Sequence, residues 1–340
     1  MKYVLEPMLF AFDQELSKEA LTDYLENLQA LDEWWNGHRE DMYVQRTAEE
    51  VLWNNSYYPM AETLKPLMEK HGINFMQYND VNKIIVKMLG KSHLIEEFGD
   101  VLCGMKSQKL AQPIKVDKNV KRTQELDNEL MSLLWQIFLA QEMGGKEDKS
   151  FVVITKGISD IVSVEYEYEV IEDDKLVEKS KMSNVNCKSS LADFLSDQAT
   201  PFLLWKTAER KEDLDLGVRV SILQWKGESD ITSICDGYDF KIQDSFYDDY
   251  CNGHYQSRDQ DIRSTIQAVT EAVTDQKQRK VHAIRTGKKG NDPQLVLNGY
   301  GALRREITTS IKLTYWKKGC VYKIANMREH DFFEPTWEDS

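Results

Sequence analysis

The chain has 340 residues, of which 41% are hydrophobic and 29% charged; this excludes a disordered or fibrous protein and suits about two globular domains. Its 8 Trp, 15 Tyr and 12 Phe call for a folded core, and 17 Gly with 7 Pro exclude collagen-like and low-complexity classes. A net charge of −14 disfavours a surface that binds nucleic acid or anionic lipid all over, and no apolar run reaches the roughly 18 residues a membrane span needs.

The opening MKYVLEPMLFAF is broken by Glu6 and Pro7 and does not read as a signal peptide. Cys103, Cys187, Cys235, Cys251 and Cys320 are odd in number and form no Cys-x-x-Cys pair. Neither a disulfide framework nor a zinc ribbon is expected, and a cytoplasmic location fits best.

Residues 1–145 read as a helical domain. Leu21, Tyr24, Leu25, Leu28, Leu31 and Trp35 recur at three- and four-residue spacing, with Ser17 placed to cap the helix. Thr47 begins a Thr-x-x-Glu capping box ahead of Val51, Leu52 and Trp53. Asp80 is placed to cap a helix with Val81, Ile84, Ile85 and Met88 on one side, ended by Gly90. Residues 120–143 form the longest helical candidate, and 130–140 are apolar nearly all round. Trp34, Trp35, Trp53, Tyr57 and Tyr58 are candidate protein–protein anchors, or else a small aromatic core.

Gly144-Gly145 followed by charges marks the break to a second, mixed domain over 150–340. Phe151, Val152, Val153 and Ile154 read as a buried strand. Val162, Val164, Tyr166, Tyr168 and Val170 alternate strictly with polar residues, which predicts a strand. Asp173-Asp174 turns it into a hairpin returning over 176–182, where Lys179 and Lys181 are placed to neutralise Glu165, Glu167 and Glu169. Residues 218–225 read as a further strand. Ser257 begins a Ser-x-x-Gln box opening a helix with Ile262, Ile266, Val269 and Val273 on one stripe. Strands follow over 294–298, 307–316 and 320–327, with turns at Asn298-Gly299 and Lys317-Lys318-Gly319. The predicted fold class is α+β, a helical domain followed by antiparallel hairpins and at least one long helix.

Charge segregation is the most informative feature. Residues 276–330 hold 13 Lys and Arg against 3 acids, a net +10 inside a chain of −14. Such asymmetry points to a polyanion partner. Lys288, Lys289, Arg304, Arg305, Lys312, Lys317, Lys318 and Lys323 supply cations, and Tyr315 and Trp316 supply faces on which bases stack. The alternative is that these cations pair with acids of the same chain or of a partner.

Three chemical readings follow. His282, Arg285, Arg304, Arg305 and Tyr322 have the side chains for metal-independent RNA cleavage, with a base for the 2′-hydroxyl proton and arginines for the charged phosphorane. An apolar run ending Gln224-Trp225-Lys226 resembles the half-motif of the PD-(D/E)xK nuclease superfamily, which implies an upstream acid, Asp215, and a magnesium ion. Asp248, Asp249 and His254 belong to an acidic cluster that is a weak candidate metal site, or else a solvated loop and helix start. No phosphate loop, kinase set, Gly-x-Ser-x-Gly or His-Glu-x-x-His occurs, so ATP hydrolysis is not expected.

In texture the chain resembles accessory proteins of bacterial mobile-element and phage-defence operons. The leading expectation is a non-ATPase subunit of a multiprotein assembly without cofactor, contacting other subunits and RNA, single-stranded DNA or an acidic partner through residues 276–330. The alternative is a nuclease effector, with magnesium only in its PD-(D/E)xK form.

Overall fold

The computed structural model describes residues 1–98, 103–143, 150–172, 175–228, 237–276, 281–287, 291–329 and 335–338. Contacts divide the chain into two units, Met1–Phe194 and Leu195–Ser340. The divide expected at 145–150 does not coincide with this boundary, because Phe151–Ile154 pairs in parallel with Lys2–Leu5. The strands after the double glycine therefore complete a sheet that the first residues begin.

In the first unit, chain order is β1 (Lys2–Leu5), α1 (Lys18–His38), β2 (Met42–Val44), α2 (Ala48–Asn54), α3 (Ala61–His71), α4 (Tyr78–Lys91), β3 (His93–Leu94), β4 (Cys103–Leu110), α5 (Gln124–Met143), β5 (Phe151–Ile154), β6 (Asp160–Glu172) and β7 (Lys175–Lys188). The sheet order is β3-β2-β1-β5-β7-β6-β4. Neighbours from β3 to β7 run parallel; β6 and β4 add antiparallel strands. The stretch expected to be purely helical thus contributes β1 to β4. Three of these have two to four residues, too few to show a period.

Ser17 caps α1 as expected, its Oγ accepting from the Ala20 N–H at 3.2 Å. Thr47 makes no such bond. Gln77 rather than Asp80 caps α4, and Asp80 returns the bond by accepting from the Gln77 N–H. Val162 to Val170 alternate inward against α5, where Tyr166 stacks on Phe138 with centroids 4.4 Å apart. The outward residues Glu165, Glu167 and Glu169 are not neutralised by Lys179 and Lys181. Those lysines lie opposite Tyr168 and Tyr166, on the α5 side, and pair with Glu172 and Glu142. Lys106 and Ser107 of β4 reach Glu169 and Glu167 instead. The register of β4 shifts between Met105 and Ser107, at Lys106.

The boundary between units falls within α6 (Leu191–Ser196). The second unit continues with α7 (Thr200–Lys206), α8 (Lys211–Lys226), β8 (Asp239–Ile242), α9 (Asp244–Asn252), α10 (Asp259–Val273), β9 (Val281–Ala283), β10 (Val296–Leu297), β11 (Tyr300–Glu306), β12 (Ile311–Lys318) and β13 (Val321–Glu329). The sheet order is β10-β11-β12-β13-β8, with β9 on β11. Together the units make an α+β protein, and no helix among the described residues is long and apolar enough to cross a membrane.

The strand expected over 218–225 is the second half of α8. Val218, Val220 and Ile222 alternate with polar residues, but Leu214, Val218 and Ile222 also fall four apart and bury one helical stripe. Glu212 and Asp213 in the first turn and left-handed Gly227 at the end complete the helical signal. The stripe of α10 is buried as expected, yet Ser257 does not cap it; its Oγ donates to the His254 carbonyl. Asn298 and Gly299 have φ of 51° and 81°, the double positive φ of a type I′ hairpin turn.

Candidate functional site

Side chains of a strand alternate between two faces, and this period sorts the basic segment. On one face of the second sheet, Arg305, Leu313, Tyr315, Tyr322, Ile324, Phe240 and Ile242 meet α8, α9 and α10. Cross-strand register places Ala302 beside Trp316, Arg304 beside Thr314, and Glu306 beside Lys312 on the other face. It adds Lys323 beside Trp316, Asn326 beside Thr314, and Arg328 beside Lys312. Lys241 lies beside Lys323, and His282 beside Arg304. Among the described strand residues, this outer face carries Lys241, Arg304, Lys312, Lys318, Lys323 and Arg328 against Asp239 and Glu306.

Several expected contact residues are removed by this sorting. Arg305 is 1% exposed and pairs with Glu271 of α10, while its Nη1 donates to the Gln276 carbonyl at 2.9 Å. Tyr315 and Tyr322 are buried in the helix-facing core, and burial pushes both phenols above their ordinary value. Lys317 points the same way and pairs with Asp275 at 2.6 Å. Arg305, Tyr315 and Tyr322 are closed to a ligand while the unit is folded, and Lys317 is half-buried with its ammonium engaged by Asp275. Lys288 and Lys289 lie outside the described residues.

The outer face combines cations with a small aromatic cluster. Trp316 lies under Trp337, with centroids 5.3 Å apart and planes at 87°. Tyr300 touches the same Trp337 at 5.4 Å. Lys318 and Lys323 place their ammonium groups 5.5 and 5.6 Å from the Tyr300 centroid, close enough for cation–π attraction. Lys312 pairs with Glu306 at 3.2 Å, and Arg328 with Asp249 at 2.9 Å. Lys241 and Lys318 are exposed. Between Arg304 and Asn326, the buried Thr314 Oγ1 has no hydrogen-bond partner. No known protein family, characterised protein or solved structure matches this chain.

The cleavage constellation is only partly assembled. His282 and Arg304 are cross-strand neighbours on the outer face, whereas Arg305 and Tyr322 face the opposite side. Arg285 is exposed and donates to the Asp292 carbonyl. The PD-(D/E)xK arrangement does not fit. Asp215 and Gln224 lie nine residues apart on one helix, a rise of about 13 Å, too far to share one ion. Asp215 pairs with Arg219 at 2.5 Å. Gln224 donates to the Leu195 and Asp197 carbonyls, and Lys226 sits over the Tyr238 ring. Asp249 is spent on Asn326, the Met327 N–H and Arg328, while Asp248 and His254 are exposed on and after α9. No group of three metal-ligating side chains occurs among the described residues.

In the first unit, β1 lies between parallel β2 and β5, the strand order that opens a ligand crevice at the carboxyl ends of many α/β sheets. Here the protein fills that position itself. Glu6 accepts from Arg122 Nη2 at 2.9 Å, from Thr155 Oγ1 at 2.7 Å and from the Met8 N–H at 3.1 Å, all buried or nearly so. Of the expected aromatic anchors, Trp34, Trp35 and Tyr58 are buried, and Trp53 is 47% exposed, stacked on Tyr58.

Sequence reasoning missed Lys241 and Trp337. Both lie outside the segment defined by its charge. The signal for Lys241 was Phe240-x-Ile242 alternation; Trp337 offered none.

Proposed function

We propose that the protein is a nucleic-acid-binding subunit, and that the outer face of its second sheet takes a single strand. The observation that carries this is the register. It puts six Lys and Arg on one side of the sheet, two of which, Lys318 and Lys323, stand beside Tyr300, while helices cover the other face. A positively charged sheet with aromatic rings suits a flexible strand, whose phosphates are neutralised and whose bases stack. The wider assembly role rests on Met1–Phe194, with its exposed Trp53 and the exposed Glu165 and Glu167 of β6.

The test is binding of the full-length protein to labelled single-stranded RNA, single-stranded DNA and duplex DNA across a salt series. A single strand should be preferred. Lys318→Ala with Lys323→Ala should weaken binding and reduce the salt slope by about 0.7 per lost phosphate contact. No binding at low salt, or a slope untouched by both changes, overturns the reading. The pairing of His282 with Arg304 supports a second reading, cleavage of the bound strand. Under it, His282→Ala stops shortening of RNA without changing its affinity.

A further inference from the structure

Residues 335–338 lie across the outer face as a strap. The Trp316 Nε1–H donates to the Thr336 carbonyl at 2.8 Å, and the Thr336 N–H donates to Asn326 Oδ1 at 2.7 Å. Lys323 Nζ donates to the Glu338 carbonyl at 3.1 Å and stands 4.2 Å from the Trp337 centroid. The Glu338 carboxylate accepts from the Asp244 and Ser245 N–H groups, at 3.0 and 2.8 Å, where α9 begins. The strap thus sets a flat aromatic ring on the aromatic part of the outer face and a backbone carbonyl on Lys323, while its carboxylate is held at the start of α9. A planar π-system beside Tyr300, Trp316 and the Lys323 ammonium has the surroundings in which a nucleobase is held.

We infer that the cleft of Tyr300, Trp316 and Lys323 is a subsite for one nucleobase of a single strand, and that Trp337 occupies it in the unbound protein. This rests on the reading of the outer face given above. Trp316 is 2% exposed with the strap in place, so its indole meets a base only when Trp337 leaves. The strap is an intramolecular competitor. Affinity for a strand is then reduced by the fraction of molecules in which the cleft is open.

The experiment compares wild type, Trp337→Ala and Glu338→Ala for binding to a labelled oligonucleotide of about ten nucleotides at fixed salt. Trp337→Ala should bind at least about tenfold tighter, corresponding to a strap closed in about nine molecules of ten. Glu338→Ala keeps the indole and loosens only the anchor on α9, and should tighten binding by a smaller factor. Should Trp337→Ala fold poorly, Glu338→Ala and a wild-type measurement carry the test. In the wild type, saturating oligonucleotide should shift the Trp316 indole N–H resonance, assigned with Trp316→Phe, and speed its exchange with solvent. Equal or weaker binding by both variants, or an unmoved resonance at saturation, overturns the inference and leaves the outer face as the binding surface. Absence of binding by wild type and variants alike removes both.

Discussion

Arg304 and Arg305 are consecutive residues of β11 with opposite surroundings. Arg305 enters the helix-facing core and meets Glu271; Arg304 stands on the outer face beside His282 and Thr314. The same division runs through β12, where Lys317 pairs inward with Asp275 and Lys318 is exposed beside Tyr300. A count of basic residues treats these four alike. The period of two separates cations that hold the fold from cations that can meet a ligand.

Breaking the inner set should cost stability. Arg305→Ala strands the Glu271 carboxylate in a buried site, and a loss of about 3–5 kcal/mol is expected in urea unfolding. Lys318→Ala, its outer counterpart, should stay within about 0.5 kcal/mol of wild type. Equal losses would erase the distinction between the faces.

The helical layer under the inner face gives the next effect. Gly217 of α8 packs on the buried Trp205 ring, and a Cβ there would stand 2.6 Å from the indole Nε1. Gly217→Ala should therefore destabilise the unit by about 1–3 kcal/mol. This outweighs a helix-propensity gain of about 1 kcal/mol. Thermal unfolding that rises on this change would mean the inner layer is looser than described.

Alkaline pH sharpens the comparison from the inner side. Tyr315 and Tyr322 have folded pKa values raised by burial. Their contribution is complete below the unfolded tyrosine pKa of about 10 and is lost as pH rises above it. Urea midpoints should be insensitive to these phenols up to about pH 10 and fall beyond it, by up to about 1.4 kcal/mol per pH unit for each. Substituting both by Phe should flatten the fall.

The α+β class, the α1 and α10 stripes and the β6–β7 hairpin were legible in the sequence because each repeats its period several times. The α8 segment was not, since Val218-Arg219-Val220-Ser221-Ile222 satisfies both periods and only its flanks decide. The parallel strands β1, β2 and β5 are too short to identify their partners from sequence, and the contact boundary falls at 194–195 rather than at the double glycine. Of the candidate contact residues, the register puts Arg304, Lys312, Trp316, Lys318 and Lys323 on the outer face and Arg305, Tyr315, Lys317 and Tyr322 on the helix-facing one, a division that alternation along β11 to β13 carries and a charge count does not. The strap could not be read, because no pattern in residues 335–338 names the ring on which Trp337 rests.

The shift of register at Lys106 bears on how this protein behaves at high concentration. β4 forms one edge of the seven-stranded sheet and β3, with two residues, the other. An open edge is a template on which a strand of another molecule can add. A bulge and the charged side chains of Lys106 and Lys109 spoil that template on one side, and brevity does so on the other. The sheet is thereby protected from edge-to-edge polymerisation, the step that leads towards amyloid-like fibres.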